Sequence, residues 1–244
     1  MSSTSPETVL ILGANSDVAK AAIPMYIARG YYVIAASRST DALQAFALQQ
    51  QLSCEQLLIS CLAATDVDNH QQCHNDLPAK RSIVLYAAGF LVQNEEAIPD
   101  FEKTFTMMKV HYCGALSMLN IIVMDYENTR LRKIIGLSSL SGVRGRKSNF
   151  IYGSTKAAFT QYLAGLRQYL FPRKVTVNVI VAGYIRSKMT AGLGLTESLM
   201  LEPVFIAKAV VNAGSRFTIV PGFKWKIIYN MLRIMPEGLV AKLP

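Results

Sequence analysis

The chain is short of the residues that cross-link small secreted proteins or hold metals. Its 244 residues include four cysteines, Cys54, Cys61, Cys73 and Cys113, none of them in a CxxC pair. That spacing builds neither a zinc site nor a disulfide framework, and it fits reduced thiols. Cys73 lies near His70 and His74, but no second pair of ligands accompanies the trio; a solvated helix or loop is expected there, and no metal. Charged residues are also sparse, 17% against 51% hydrophobic, which excludes disorder and is rich enough to cover both faces of a buried sheet. No uninterrupted apolar run has the length of a membrane span. The first eight residues are polar, without a basic leader and a long apolar segment, so no secretion signal is expected and the cytoplasm is the expected location. The formal net charge of +9 can attract nucleic acid, phosphorylated substrates or anionic lipid. Much of it falls in 130–133, 144–147 and 223–244, and no helix-turn-helix, zinc-finger or RNA-binding signature accompanies it, so no nucleic-acid partner is expected.

What is present is an alternation. Short apolar segments at 9–12, 31–36, 56–60, 82–86, 133–137, 175–181 and 217–220 read as strands. Helical patterns at 18–29, 41–51, 101–125, 152–170 and 202–213 separate them, with Gly30 as a helix stop. Strands apolar throughout, joined by helical crossovers, predict an α/β fold: a doubly wound parallel sheet with helices on both faces. No repeat or linker divides it. Residues 1–222 read as one domain, with 223–244 as its basic amphipathic tail.

The first strand runs into a glycine turn, Leu10-Ile11-Leu12-Gly13-Ala14-Asn15-Ser16-Asp17-Val18. Backbone N–H groups at such a helix start face a dinucleotide's pyrophosphate, and small residues let the backbone approach it, which makes Gly13, Asn15, Ser16, Asp17 and Val18 candidate cofactor contacts. Only one of three expected glycines remains. Asp17 either brings a carboxylate close to the phosphates or caps the helix. The second strand ends in Ala36-Ser37-Arg38-Ser39. Dinucleotide sites choose their cofactor at this point, an acid for NAD and an arginine for NADP. With no acid present, Ser37 and Arg38 favour NADP(H), NAD(H) remaining open; the alternative is a solvated arginine.

Gly136-Leu137-Ser138-Ser139 is followed by Asn149-Phe150-Ile151-Tyr152-Gly153-Ser154-Thr155-Lys156. Tyr152 and Lys156, four apart, share a helix face. An ammonium beside a phenol lowers its pKa, so that the phenol exchanges a proton with an alkoxide near neutral pH. Ser139, at a strand end, can hydrogen-bond the substrate oxygen while a nicotinamide supplies the hydride.

With the glycine turn and the Ser-Ser strand end in place, the sequence from about residue 9 to 220 resembles the short-chain dehydrogenase/reductase family. The resemblance implies an NAD(P)-dependent oxidoreductase in which Ser139, Tyr152 and Lys156 are catalytic and Lys156 also holds the nicotinamide ribose. Tyr86-Ala87-Ala88-Gly89 stands where the family usually reads Asn-Asn-Ala-Gly, which assigns Ala87, Ala88 and Gly89 to the cofactor. His111 stands at the family's active-site asparagine; it either serves there as a hydrogen-bonding, titratable group or is a satisfied core histidine. Val181-Ala182-Gly183-Tyr184-Ile185-Arg186-Ser187 matches the family's Pro-Gly segment with its proline replaced. Gly183, Ile185 and Ser187 are thus implied at the cofactor, Ile185 by backbone contact with the carboxamide. The acid that often follows the third strand is missing, and Cys61 and Leu62 are the implied contacts there.

Segment 147–156 and the tail around Met235-Pro236-Glu237 and Lys242-Leu243-Pro244 are similar to family members that reduce a keto-sugar carried on a polyprenyl phosphate, the reductase half of an epimerase in envelope glycan synthesis. The alternatives are reduction of a soluble ketone or aldehyde, and a nucleotide-binding sensor or scaffold with weakened turnover. The resemblance implies a homodimer or homotetramer and, if the epimerase parallel holds, an oxidase partner. The tail alternates apolar residues with Lys224, Lys226, Arg233 and Lys242. It either rests on a membrane surface, with Trp225 and Tyr229 at headgroup level, or packs on the domain or a sister subunit.

Overall fold

The computed structural model describes residues 6–77 and 80–242. Seven parallel strands form one sheet: β1 (Thr8–Leu12), β2 (Tyr32–Ser37), β3 (Leu57–Cys61), β4 (Ile83–Tyr86), β5 (Lys133–Ser139), β6 (Thr176–Ala182) and β7 (Thr218–Ile219). Their order is β3-β2-β1-β4-β5-β6-β7. The chain winds outward from β1 in one direction and from β4 in the other. The crevice between these two strands at their carboxyl ends is where such a sheet takes a ligand.

The helices are α1 (Asp17–Ile27), α2 (Asp41–Gln49), α3 (His70–Asn75), α4 (Asn94–Ala97), α5 (Phe101–Met108), α6 (Gly114–Met124), α7 (Phe150–Leu170), α8 (Pro203–Val211), α9 (Phe223–Ile234) and α10 (Glu237–Val240). Because side chains alternate along a strand, β1 sends Val9 and Ile11 to one face and Leu10 and Leu12 to the other. The first pair joins Ala22 and Ile23 of α1 and Ile206 and Val210 of α8. The second joins Met118 and Ile122 of α6, Phe159 and Leu163 of α7, and Trp225 and Leu232 of α9. The doubly wound parallel sheet expected from the strand pattern is thus the observed architecture.

Several expectations are corrected. The segment expected as one helix at 101–125 is α5 and α6 joined by a π-turn, Lys109–Cys113, centred on His111. This helical stretch, though interrupted by Glu102, Lys103 and Lys109, has the length and mean hydropathy of a membrane span, and half of its most apolar 18-residue window is buried inside the fold. Around Cys73, the expected solvated stretch is a helix whose two histidines are buried. His70 bridges the Ala63 carbonyl (3.0 Å) and Ser117 Oγ (2.9 Å). His74 sits against Asp125, Nε2 to Oδ2 3.2 Å, and the Arg81 guanidinium. The described residues contain no cluster fit for a metal. In the tail, Trp225 is buried at 4% exposure rather than at the surface. Its Nε1 donates to the Leu199 carbonyl (2.9 Å), and its ring meets Tyr184 edge-on at 4.9 Å. The tail residues Leu243 and Pro244 lie outside the described residues, as do most of the polar residues at the start.

Gly183 makes this docking possible. A Cβ there would stand 2.1 Å from the Trp225 ring, so only glycine lets α9 lie against the end of β6. Gly183→Ala is expected to destabilise the fold by about 1–3 kcal/mol and to loosen Trp225. Urea unfolding with tryptophan fluorescence measures both, and an unchanged midpoint would contradict this packing.

Candidate active site

A cleft of about 460 Å³ opens along the carboxyl ends of the strands. Gly13, Asn15, Ser16, Asp17 and Val18 line it at the turn from β1 into α1. Gly13 has φ +82°, and a Cβ on it would stand 2.3 Å from the Ala88 backbone nitrogen. A side chain is therefore excluded where the β1 turn meets the loop after β4, and the floor of the cleft stays bare backbone. Asn15 Nδ2 donates to Ser37 Oγ (3.0 Å) and to the Ser39 carbonyl (2.6 Å), tying this turn to the end of β2. Asn15 Oδ1 is buried without a partner. Ser37 and Arg38 line the same end, the arginine exposed.

Asp17 does not cap α1. Ser16 is the N-cap residue, and Asp17 Oδ2 accepts from the backbone N–H of Lys188 (2.9 Å). Lys188 Nζ in turn donates to the Asn15 carbonyl (2.8 Å) and stands 3.9 Å from Asp17 Oδ1. The carboxylate that looked misplaced among phosphates is thus matched by a lysine from across the cleft. Lys188 was not foreseen, because 171 residues separate the partners and no local pattern pairs them.

Leu62, Ala87, Ala88 and Gly89 line the middle of the cleft, and Gly183, Ile185 and Ser187 its wall after β6. Cys61 corrects an expectation. It ends the edge strand with its side chain exposed, its Sγ 3.8 Å from the Arg38 carbonyl, and does not join the cleft lining. The one-residue alternation that points Leu62 inward points its neighbour out. The wall after β6 is held by an Ile185–Leu201 bridge and by Arg186, which pairs with Glu197 (2.6 Å) and Glu202 (2.9 Å).

Ser139, Tyr152 and Lys156 meet in the cleft. β5 delivers Ser139 at its last position, and α7 presents the other two on one face, both buried. Lys156 Nζ donates to the Leu137 carbonyl (3.2 Å) and lies 5.9 Å from the centre of the Tyr152 ring. The expected acidification of the phenol is not found. Burial pushes Tyr152 up to about 12, with a hydrogen bond from Ser139 pulling it back. Burial also draws Lys156 down to about 8. Desolvation penalises the charged form of each group. A phenol with that pKa is protonated at neutral pH and stands as a proton donor.

His111 lies behind Tyr152 rather than in the cleft lining. Its ring packs edge-on against the phenol ring, centroids 5.2 Å apart. The Phe90 N–H donates to Nε2 (3.0 Å), so the ring proton sits on Nδ1, which faces Thr155 Oγ1 at 2.7 Å. Thr155 passes the pattern on to the Tyr152 carbonyl (2.8 Å). Burial, aided by Lys156, holds the imidazole well below its ordinary pKa. Both nitrogens of this neutral ring are thus engaged, and the geometry is that of a group that positions Tyr152. Asn149, whose Nδ2 donates to Ser141 Oγ (2.8 Å), also lines the cleft, with its Oδ1 buried and unpartnered.

Residues 7–198 match the short chain dehydrogenase family. The chain belongs to that family. Uncharacterized oxidoreductases are among its relatives. One from Staphylococcus epidermidis is 26% identical over 213 residues, covering 87% of this chain and 93% of the relative. One from Mycobacterium tuberculosis is 24% identical over the full length of both chains. A short-chain dehydrogenase from Burkholderia cenocepacia, solved with NADP, superposes with a TM-score of 0.82 at 19% identity over 96% of this chain and 95% of that one. One from Mycobacterium paratuberculosis, solved with NAD, superposes at 0.77 with 18% identity over 88% and 96%. This short-chain dehydrogenase is therefore an NAD(P)-dependent oxidoreductase with a Rossmann-type sheet.

Lys156 gives the enzyme a pH signature. Its ammonium is intact below about 8 and is lost above it, while Tyr152 stays protonated throughout that range. If the ammonium is required, kcat/KM for carbonyl reduction falls about tenfold per pH unit on the alkaline side of that value. A pH–rate profile flat to pH 10 would remove the charge of Lys156 from the reaction.

Proposed function

We propose that this short-chain dehydrogenase reduces a carbonyl to an alcohol at the expense of NADPH. The observation that carries this reading is a buried, protonated phenol, Tyr152, beside a buried amine, Lys156, in a cleft whose other end has a bare-backbone turn at Gly13 and Arg38. The residues fit a dinucleotide: Gly13 lets the turn after β1 meet the Ala88 backbone with no side chain between them, which keeps bare backbone at the cleft, and Asn15 keeps an unpartnered oxygen there. When a dinucleotide is bound, the first-turn N–H groups of α1 would hold its phosphates, Arg38 and Ser37 would hold the 2′-phosphate, and Lys156 would hold the nicotinamide ribose. When bound, the nicotinamide supplies the hydride. Tyr152 Oη gives its proton to the carbonyl oxygen, Ser139 Oγ hydrogen-bonds that oxygen, and the Lys156 ammonium stabilises the phenolate left behind. His111 and Thr155 keep the Tyr152 ring in register.

The substrate in this reading is a keto-sugar, carried on a polyprenyl phosphate for envelope glycan synthesis. Support comes from the similarity of 147–156 and the tail to decaprenylphosphoryl-2-keto-ribose reductase. Phe90 and Leu91, which pack with Tyr152, line the cleft together with Met189, Leu193 and Leu195, a surface suited to a carbonyl compound with an apolar carrier. On the same reading, residues 1–222 are the reductase domain of a homodimer or homotetramer that works beside a separate oxidase at the cytoplasmic face of the membrane.

Oxidation of NADPH and NADH is to be followed against a polyprenyl-linked keto-sugar, a free keto-sugar and simple ketones. Turnover is expected on the first, and Tyr152→Phe is expected to lower it by about 10²–10⁴-fold while NADPH still binds. Turnover confined to simple ketones overturns the substrate, and a fully active phenylalanine variant overturns the proton donor.

Arg38→Ala is expected to weaken NADPH by about ten- to a hundredfold and to leave NADH nearly unchanged, as read by cofactor fluorescence titration. Equal losses for the two would place Arg38 away from the 2′-phosphate.

A further inference from the structure

The helix α9 has two apolar faces, and among the described residues only one of them has a partner. Its inner face carries the buried Trp225 and Leu232, with Ile228 and Tyr229 packed against the same core. Its outer face carries Phe223, Ile227, Met231 and Ile234, exposed at 77%, 46%, 50% and 83%. At i, i+4, i+8 and i+11 these four fall within about 80° of arc. Cations stand on both sides of the stripe, all exposed: Lys224 along one edge, Lys226 and Arg233 along the other. No acid occurs from 222 to 236. The next acid along the chain, Glu237, is paired with Arg144 (2.5 Å), and Glu197, beside the Ser198 carbonyl that Lys224 touches, is paired with Arg186.

We infer that this outer face of α9 docks on an anionic lipid bilayer, its apolar stripe entering the headgroup boundary and Lys224, Lys226 and Arg233 reaching the phosphates. The charge pattern selects this occupant. An apolar stripe bordered by long basic side chains, with the exposed Asn230 as the one uncharged polar neighbour, matches the edge of an anionic leaflet, where the stems lie along apolar surface and the heads reach phosphate. A second copy of the same face would bring cation against cation across the contact. The mode differs from the one expected from sequence, because the tryptophan is not the anchor. Trp225 faces the other way, against Gly183 and Tyr184, both of which line the catalytic cleft. A docked helix therefore holds the cleft wall one helix diameter from the lipid, with the indole as spacer. The inference extends the reading of a lipid-linked substrate, but the surface chemistry on which it stands does not depend on which carbonyl is reduced.

The test is sedimentation of the full chain with vesicles of phosphatidylcholine, with and without phosphatidylglycerol. Binding is expected only with phosphatidylglycerol, and it should decline with salt. Lys224→Gln, Lys226→Gln and Arg233→Gln combined are expected to weaken partitioning by about a hundredfold. Ile227→Ser with Ile234→Ser is expected to abolish it while leaving NADPH affinity unchanged. Trp225 emission should stay constant on binding. Absence of vesicle binding, equal binding by the variants, or a blue shift of Trp225 would each overturn the docking face. So would a serine variant that binds vesicles normally but dissociates by light scattering, because the stripe would then be a subunit contact. Vesicle binding without keto-sugar turnover defeats only the proposed substrate, and turnover without binding defeats only the docking.

Discussion

The organisation of the site depends on keeping an amine and a phenol out of water at the mouth of a parallel sheet. Lys156 is buried with the Leu137 carbonyl as acceptor, and among the described residues no neighbouring carboxylate offsets the burial. An isolated buried cation is costly, and the site tolerates it by letting the pKa drift towards neutrality. The same dryness keeps the Tyr152 proton in place. Around this pair the fold spends unusual backbone: a π-turn that places His111 behind the phenol, and a strand end that delivers Ser139 to it. Such a turn inside a long helix commonly marks a functional position, and here it gives the imidazole the reach to hold both the Phe90 N–H and Thr155.

The second constraint is the switch point of the sheet. Because β1 and β4 are neighbours while their connections leave in opposite directions, the loops after them part and leave a crevice. Gly13 and Ala88 meet at its base with no room for a side chain. The crevice is bridged above by Asp17 and Lys188, so that the glycine turn and the loop after β6 form one frame around the space between them. The exposed outer face of α9 is reached from that frame through Trp225, which connects the cleft wall to the surface.

Much of this was legible from pattern. The strands at 9–12 and 133–137 and the helix at 152–170 were placed within a few residues, because uniform apolarity and 3.6-residue periodicity are local signals. Gly13, Arg38, Ser139, Tyr152 and Lys156, proposed from type and spacing, fold to line one cleft. What pattern missed was decided by distance in space. Cys61 and Leu62 are adjacent in the chain, yet only one lines the cleft. His70 and His74 read as solvated because their partners, Ser117 and Asp125, come from α6 and the turn after it. The sign of the Tyr152 shift was misjudged because spacing reports the neighbouring charge and is silent on burial.

By itself the amino-acid order determined the sheet, its winding and the type and spacing of the candidate site residues, since each follows from periodicities and residue types within a few turns of chain. Tertiary structure alone decided the protonation of Tyr152 and Lys156, the tautomer of His111, the pairing of Asp17 with Lys188 and the direction in which Trp225 points. These are set by desolvation and by contacts between groups far apart in sequence, and neither quantity exists until the chain has folded.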